Sequence, residues 1–331
     1  MKNNIFISCS KGKKVEYWIL KKKNMLLNKQ VIDTNGFPQP LAYCKDNCLL
    51  YIGENFPHKI LIYKMFPDYR LKKIQETSMF NTSNYISLNH NKKILLCASF
   101  HGNGFSIYLL NKSGLIKKNI YFFQNIKGCH FIKMHYKYNL IFVSALKEDK
   151  IYIFDINLDF KKKINISLKN IIQTKKNSGP RHISFHPSNN FLYSINEFEG
   201  TINVWIINHI KSQLLFLQSI SLIVKPYKKT PWSSDIHIHS NGLYLYACDR
   251  ANNIISLFTI NIETGFLFYI HTYQTVLQPR SFYISKNGKL LIVVGEISNS
   301  MNIYNINLKN GYLVLKKKKL LGINPLWILI K

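Results

Sequence analysis

PRHISFHPSNNFLYSIN (180–196) reads as an alternating strand, a polar turn and a second strand rich in Leu, Ile and Tyr. The same phrase returns along the chain as PQPLAYCKDNCLLYIGE (38–54), SNYISLNHNKKILLCAS (83–99), CHFIKMHYKYNLIFVSA (129–145), SSDIHIHSNGLYLYACD (233–249) and PRSFYISKNGKLLIVVG (279–295). The six starts are separated by 45, 46, 51, 53 and 46 residues. A third strand follows each copy: KILIYKM (59–65), FSIYLL (105–110), KIYIFDI (150–156), TINVWII (201–207), IISLFTI (254–260) and MNIYNI (301–306). A polar turn and a lysine-bearing fourth strand complete each unit. Four short strands at this spacing, with almost no helical periodicity, are the pattern of a β-propeller blade.

The last copy is cut short, because PLWILIK (325–331) supplies only a first strand. The beginning of the chain supplies the remainder: NIFISCS (4–10), KVEYWIL (14–20) and MLLNKQV (25–31). Six whole units plus one assembled from both termini predict an all-β, seven-bladed propeller with four-stranded blades, a single domain over 1–331. Length alone would suggest two domains, but a repeat overrides that arithmetic. A β-solenoid would not need its terminal pieces to complete one unit between them.

Composition narrows the function. Hydrophobic residues make up 47% and charged residues 18%, which provides a large core and argues against disorder. No apolar stretch approaches the length of a spanning helix. The run MKNNIFISCSKGKK is too short in apolar residues for a secretory signal, so a cytoplasmic location is the expectation. The six cysteines (9, 44, 48, 97, 129 and 248) read as reduced, buried thiols. Cys44 and Cys48 have no second pair that would make a metal site.

A net charge of +29 raises the question of a nucleic-acid partner. The lysines, however, recur as clusters at 21–23, 72–73, 117–118, 161–163 and 316–319, in one phase of the repeat. They read as guards on exposed outer strands, inflated by a composition rich in Lys, Asn and Ile. No specific nucleic-acid or membrane partner is implied, and a monomer is expected.

Arginine is used differently. Against 41 lysines there are four arginines, and three of them occupy the repeat's joints: Arg181 in GPRH, Arg250 in ACDR and Arg280 in QPR. A guanidinium grips a carboxylate or phosphate with two hydrogen bonds where lysine offers a point charge. In a propeller blade the first strand lies nearest the axis and the second runs back beside it, so first-strand entry and second-strand exit share one face of the channel. At the entry the seven units read Gln39, Asn84, His130, Arg181, Ser234, Arg280 and Leu326. One step on come Pro40, Tyr85, Phe131, His182, Asp235, Ser281 and Trp327. The second-strand exits carry Glu54, Asn55, Lys147, Glu197, Asp249, Arg250 and Glu296. The opposite strand ends read mostly as Ser, Asn, Lys and Gly.

One channel mouth is therefore predicted to hold an ionic site for an anionic small molecule, hydrolysed or isomerised without a metal. Arginines bind the anion and stabilise an oxyanion, while a carboxylate or imidazole accepts a proton. Other roles compete at each position. His182 also suits a bond between blades, and Asp235 and Asp249 suit the orientation of arginines. His237 and His239 share a strand face without a third metal ligand, and Trp232 and Trp327 suit the core or channel wall. No Gly-rich phosphate loop, G-x-S-x-G elbow or H-E-x-x-H is present, and Gly102 and Gly104 make only a turn. No motif implies a cofactor.

With GCH (128–130), VSALKEDKIYIFDI (143–156), GPRHISFHP (179–187), INE (195–197), the run from Asp235 to Arg250 and QPRSF (278–282) in order, the chain resembles the bacterial cytoplasmic 6-phosphogluconolactonases of the seven-bladed propeller type. The resemblance runs from residue 4 to the C-terminus. It implies hydrolysis of 6-phospho-D-glucono-1,5-lactone to 6-phosphogluconate, the second step of the oxidative pentose phosphate route, with a small phosphorylated sugar lactone as partner and no cofactor. The wider family is similar to fungal carboxy-muconate cyclases, whose Arg/His/Glu cluster corresponds to His130, Arg181, Glu197 and Arg250, with Arg280 adjacent. Ser83-Asn84-Tyr85 stands where a Pro-Thr-His-like phrase occurs in relatives.

The roles expected are therefore Glu197, His130 and Arg250 in catalysis, with Glu197 activating water and Arg250 polarising the carbonyl. Arg181, Arg280, His182 and Asp249 are expected to bind substrate. Two rivals remain at this point: an enzyme for another lactone or muconate-like acid, and a non-catalytic propeller scaffold. The scaffold reading is disfavoured by an ionic rather than apolar face and by the lack of Gly-His and Trp-Asp pairs.

Overall fold

The computed structural model describes residues 3–21, 26–157, 165–223 and 229–331. Seven four-stranded antiparallel sheets form the molecule. Blade 1 consists of Phe37–Cys44, Leu49–Asn55, Lys59–Met65 and Leu71–Ser78, and blades 2 to 6 repeat this order, beginning at Tyr85, Cys129, Pro180, Ser233 and Pro279. Blade 7 is the composite unit. Its inner strand Pro325–Ile330 pairs with Asn3–Cys9, followed by Lys14–Leu20 and Leu26–Asp33. Paired amides of Asn4 and Lys331 extend that seam. The only helical element among the described residues is a single turn of 3-10 helix, Leu146–Glu148.

The two middle strands of each blade are almost wholly buried because they are apolar on both faces, and each face meets a neighbouring sheet. Seven apolar clusters result, one for each blade-to-blade interface. Polar ties recur at these interfaces. The Tyr51, Tyr193 and Tyr246 hydroxyls donate to the carbonyls of Gly114, Gly265 and Gly311 in the next blade. His186 and His239 likewise reach the carbonyls of Gly242 and Gly288. His239 is thus a turn-tying residue, on a different task from His237. Lysines 72–73, 117–118 and 316–319 lie exposed on outer strands. The cluster at 161–163 and Lys22 and Lys23 of the first cluster lie outside the described residues, as does Met25 of the predicted fourth strand. All six cysteines are free, and Cys48 is half-buried rather than buried.

One irregularity matters for function. Six inner strands break register with their neighbours just after entry: between Pro38 and Leu41, Cys129 and Phe131, Pro180 and His182, Ser233 and Ile236, Pro279 and Ser281, and Pro325 and Trp327. Each is a β-bulge, which re-aims the side chain of the extra residue. In three blades that extra residue is His130, Arg181 or Arg280.

Candidate active site at the channel mouth

The bulges are held in place by neighbouring blades. Ser144 Oγ donates to the Arg181 carbonyl at 2.7 Å, and Ser234 Oγ donates to the Pro279 carbonyl at 2.7 Å. The residue types selected at the joints therefore project toward one end of the axis.

Glu197, at the exit of blade 4, organises the cluster. Its Oε2 lies 2.8 Å from Arg181 Nε and 2.9 Å from Arg250 Nη2. The first contact is ionic, because the Arg181 N–H does not point along it. The Trp232 indole N–H donates to Glu197 Oε1 at 3.1 Å. The Arg250 guanidinium lies 3.8 Å from the Trp232 ring centroid and donates to the carbonyls of Trp232 and Ser233. Arg181 Nη1 donates to the Ser234 carbonyl of blade 5. Arg181 and Arg250 are thus buried, with 2% and 3% of their surface exposed. Burial, then the neighbouring Arg181, pushes Arg250 down to about 9, while Glu197 works the other way.

Arg280 differs. Its side chain remains 22% exposed, and its nearest carboxylate is Glu296 at a loose 3.5 Å. Of the three guanidiniums it is the one free to take a ligand.

His130 lies where these charges converge. Burial, followed by Arg181, His182, Arg280 and Arg250, holds its pKa well below the ordinary histidine value. The ring is therefore neutral, and its buried Nδ1 has no partner. Below it, His182 Nδ1 contacts Asp235 Oδ1 of the next blade at 2.8 Å. Burial, then Arg181, pushes His182 down to about 4. With Nδ1 donating to Asp235, the unpartnered Nε2 carries the lone pair. Tyr85 and Trp327 pack against this ring as channel wall. Burial opposes ionisation of Asp235, yet its contacts with His237 and His182 hold the carboxyl well below its usual range.

The structure brings His130, Arg181, Glu197, Arg250 and Arg280 together, and three expectations are revised. Asp249 is fully buried, and its carboxylate is filled by the Trp232 and Asn252 amides, Ser233 Oγ and Asn252 Nδ2. It fastens the loop that carries Trp232 and is closed to solvent. His182 bridges two blades through Asp235, with its ring 5.2 Å from that of His130. Trp232, read as core or wall, is 37% exposed and forms part of the site. Nothing in the repeat marks Trp232, because it sits in a linker. Glu54 and Asn55, also at exits, tie loops: Glu54 accepts the Gly36 amide, and Asn55 exchanges two bonds with Ser83. The floor of the mouth is ionic, but exposed Phe56, Phe198 and Ile297 follow the second-strand exits around it, so the rim is more apolar than the sequence suggests.

Comparison with known proteins agrees with this architecture. The family model described as Lactonase, 7-bladed beta-propeller matches residues 5–330. A 6-phosphogluconolactonase of Buchnera aphidicola subsp. Acyrthosiphon pisum (strain Tuc7) is 43% identical over 288 residues, covering 86% of this chain and 85% of that protein. One from Cronobacter sakazakii is 29% identical over 332 residues, covering 100% and 98%. Among solved structures, the Pseudomonas aeruginosa periplasmic gluconolactonase superposes with a TM-score of 0.90 at 16% identity, covering 100% of this chain and 99% of that one. A Lactobacillus plantarum protein gives 0.90 at 17% identity, covering both chains fully. At such identities the structural matches establish the fold alone. With a ring of seven blades and a family model that spans nearly every residue, this chain belongs to the seven-bladed β-propeller lactonase family.

Proposed function

We propose that this chain is a 6-phosphogluconolactonase, acting as one domain, which opens 6-phospho-D-glucono-1,5-lactone at the arginine-lined channel mouth. The observation that carries the reading is the convergence of Arg181, Arg250 and Arg280 from three blades on a neutral His130. The relatives' shared name supplies the substrate.

Arg280, loosely paired and accessible, grips the phosphate with its planar fork. Arg181 and Arg250 are clamped by Glu197 and by backbone carbonyls, so they face the reaction as fixed positive charges. Water adds to the lactone carbonyl carbon, and the resulting oxyanion forms against those charges. Preorganised stabilisation of this kind contributes roughly 3–4 kcal/mol. The C–O bond to the ring oxygen then breaks, that oxygen takes a proton, and the new carboxylic acid releases one.

The proton acceptor is assigned to His130 rather than to Glu197. Glu197 already takes two guanidiniums and an indole N–H, so it serves as a positioning residue. The cations that suppress protonation of His130 are neutralised when a phosphate enters and an oxyanion develops. Its proton affinity therefore rises as the reaction requires it.

The test is lactone hydrolysis, corrected for spontaneous opening, with phosphorylated and unphosphorylated gluconolactone. The phosphorylated lactone is expected to be favoured by at least about a hundredfold in kcat/KM, as for loss of a charge-assisted bidentate contact. Equal rates would point instead to a lactonase for another acid.

A further inference from the structure

All inner strands run away from the arginine mouth, and from Tyr85, Asp235 and Trp327 down to their far ends they line a cavity of about 260 Å³. This is near the lower end of small-molecule sites, about 300 Å³. It is not the plain polar turn surface that the strand ends suggest. Tyr43, Tyr283 and Trp327 form aromatic wall, and Lys133 and Lys331 supply two ammonium groups.

Both lysines line this one cavity. Burial, then Lys331, lowers the pKa of Lys133. Lys331 Nζ reaches only the Tyr283 hydroxyl, at 3.3 Å, and lies 5.5 Å from that ring's centroid. Lys133 Nζ sits 5.9 Å from the centroid of Phe185. Among the described residues neither lysine has a carboxylate within ion-pair distance. Asp235 also borders the cavity, but it is taken by His182, His237 and the amides of Ile236 and Phe282. Lys331 is exposed and Lys133 half-buried; both border one recess, where an anion meets two ammonium groups at once.

We infer that the far mouth is a second ligand site, which takes a small phosphate ester. Lysine suits phosphate as a point charge, and the rings offer faces on which the remainder of the ester lies. Its two lysines stand at the opposite end of the cavity from the Tyr85, Asp235 and Trp327 wall beneath the lactone mouth, and the site does not depend on the reaction assigned there.

The test is calorimetric titration of the full chain with glucose 6-phosphate, inorganic phosphate and glucose. It compares wild type with Lys133→Met, Lys331→Met and Arg280→Gln. A glucose 6-phosphate site should weaken about tenfold or more in either lysine variant, persist in Arg280→Gln and ignore glucose. Lactone kcat/KM should stay within about twofold of wild type in Lys133→Met and Lys331→Met, since neither residue touches the mouth. The thermal midpoint of each variant checks that it folds, and the two lysine variants serve as alternates. The inference is overturned if ester binding is absent, if it is lost only with Arg280, or if inorganic phosphate binds while the ester is excluded.

Discussion

Glu197 shows how a residue can be legible in place while its partners are not. A carboxylate at a strand exit opposite arginines was legible from the repeat. That it faces two guanidiniums and an indole N–H at once was not, since only Arg181 shares its blade, while Arg250 comes from the neighbouring blade and Trp232 from a linker. Glu197→Gln should therefore lower both turnover and stability. Unpairing buried charge costs about 3 kcal/mol or more, read as a fall in thermal midpoint, while the pH limb of kcat persists. A lost acid limb with unchanged stability would return Glu197 to the role of base. The histidines allow a second prediction. His182 is pushed down to about 4 and His135 likewise, both chiefly by burial. The unfolded chain binds these protons near its ordinary value, so stability is complete above about pH 6.5 and is lost as pH falls toward 4. His182 alone accounts for about 3 kcal/mol of that loss. Urea unfolding at pH 7.5 and 4.5 measures it, and His182→Asn should flatten the slope. An equal slope in that variant would assign the loss elsewhere.

At the level of the strand, period-two patterning revealed every blade because each strand's alternation is local. The bulges were not legible as such. The aligned column of Gln39, His130, Arg181, Ser234, Arg280 and Leu326 marked where something occurs, but an extra residue is a fact about two strands, not one. Asp249 was misjudged for the same reason. Adjacent residues of a strand point to opposite faces, and sequence did not tell which of Asp249 and Arg250 faces the channel. The bulge at Arg181 leans on Ser144 through a buried 2.7 Å bond. Ser144→Ala removes that support and should cost about 1 kcal/mol of stability, with a larger proportional fall in kcat than in Tm. An unaltered kcat would mean that Arg181 keeps its place without blade 3.

Across the whole molecule, the ring turns seven similar sheets into one converging surface. Closure through Pro325–Ile330 and Asn3–Cys9 brings the first and last strands into register, and the termini's complementary pieces made this legible. Convergence follows from the toroid: joints far apart in sequence, from His130 to Arg280, meet at one mouth. The central claim is that this mouth reads the phosphate through Arg280, and the most direct measurement is kcat/KM of Arg280→Lys for phosphorylated and unphosphorylated gluconolactone. The account predicts a loss of about tenfold or more for the phosphorylated lactone with little change for the other. Equal losses on both, or none on either, would contradict it.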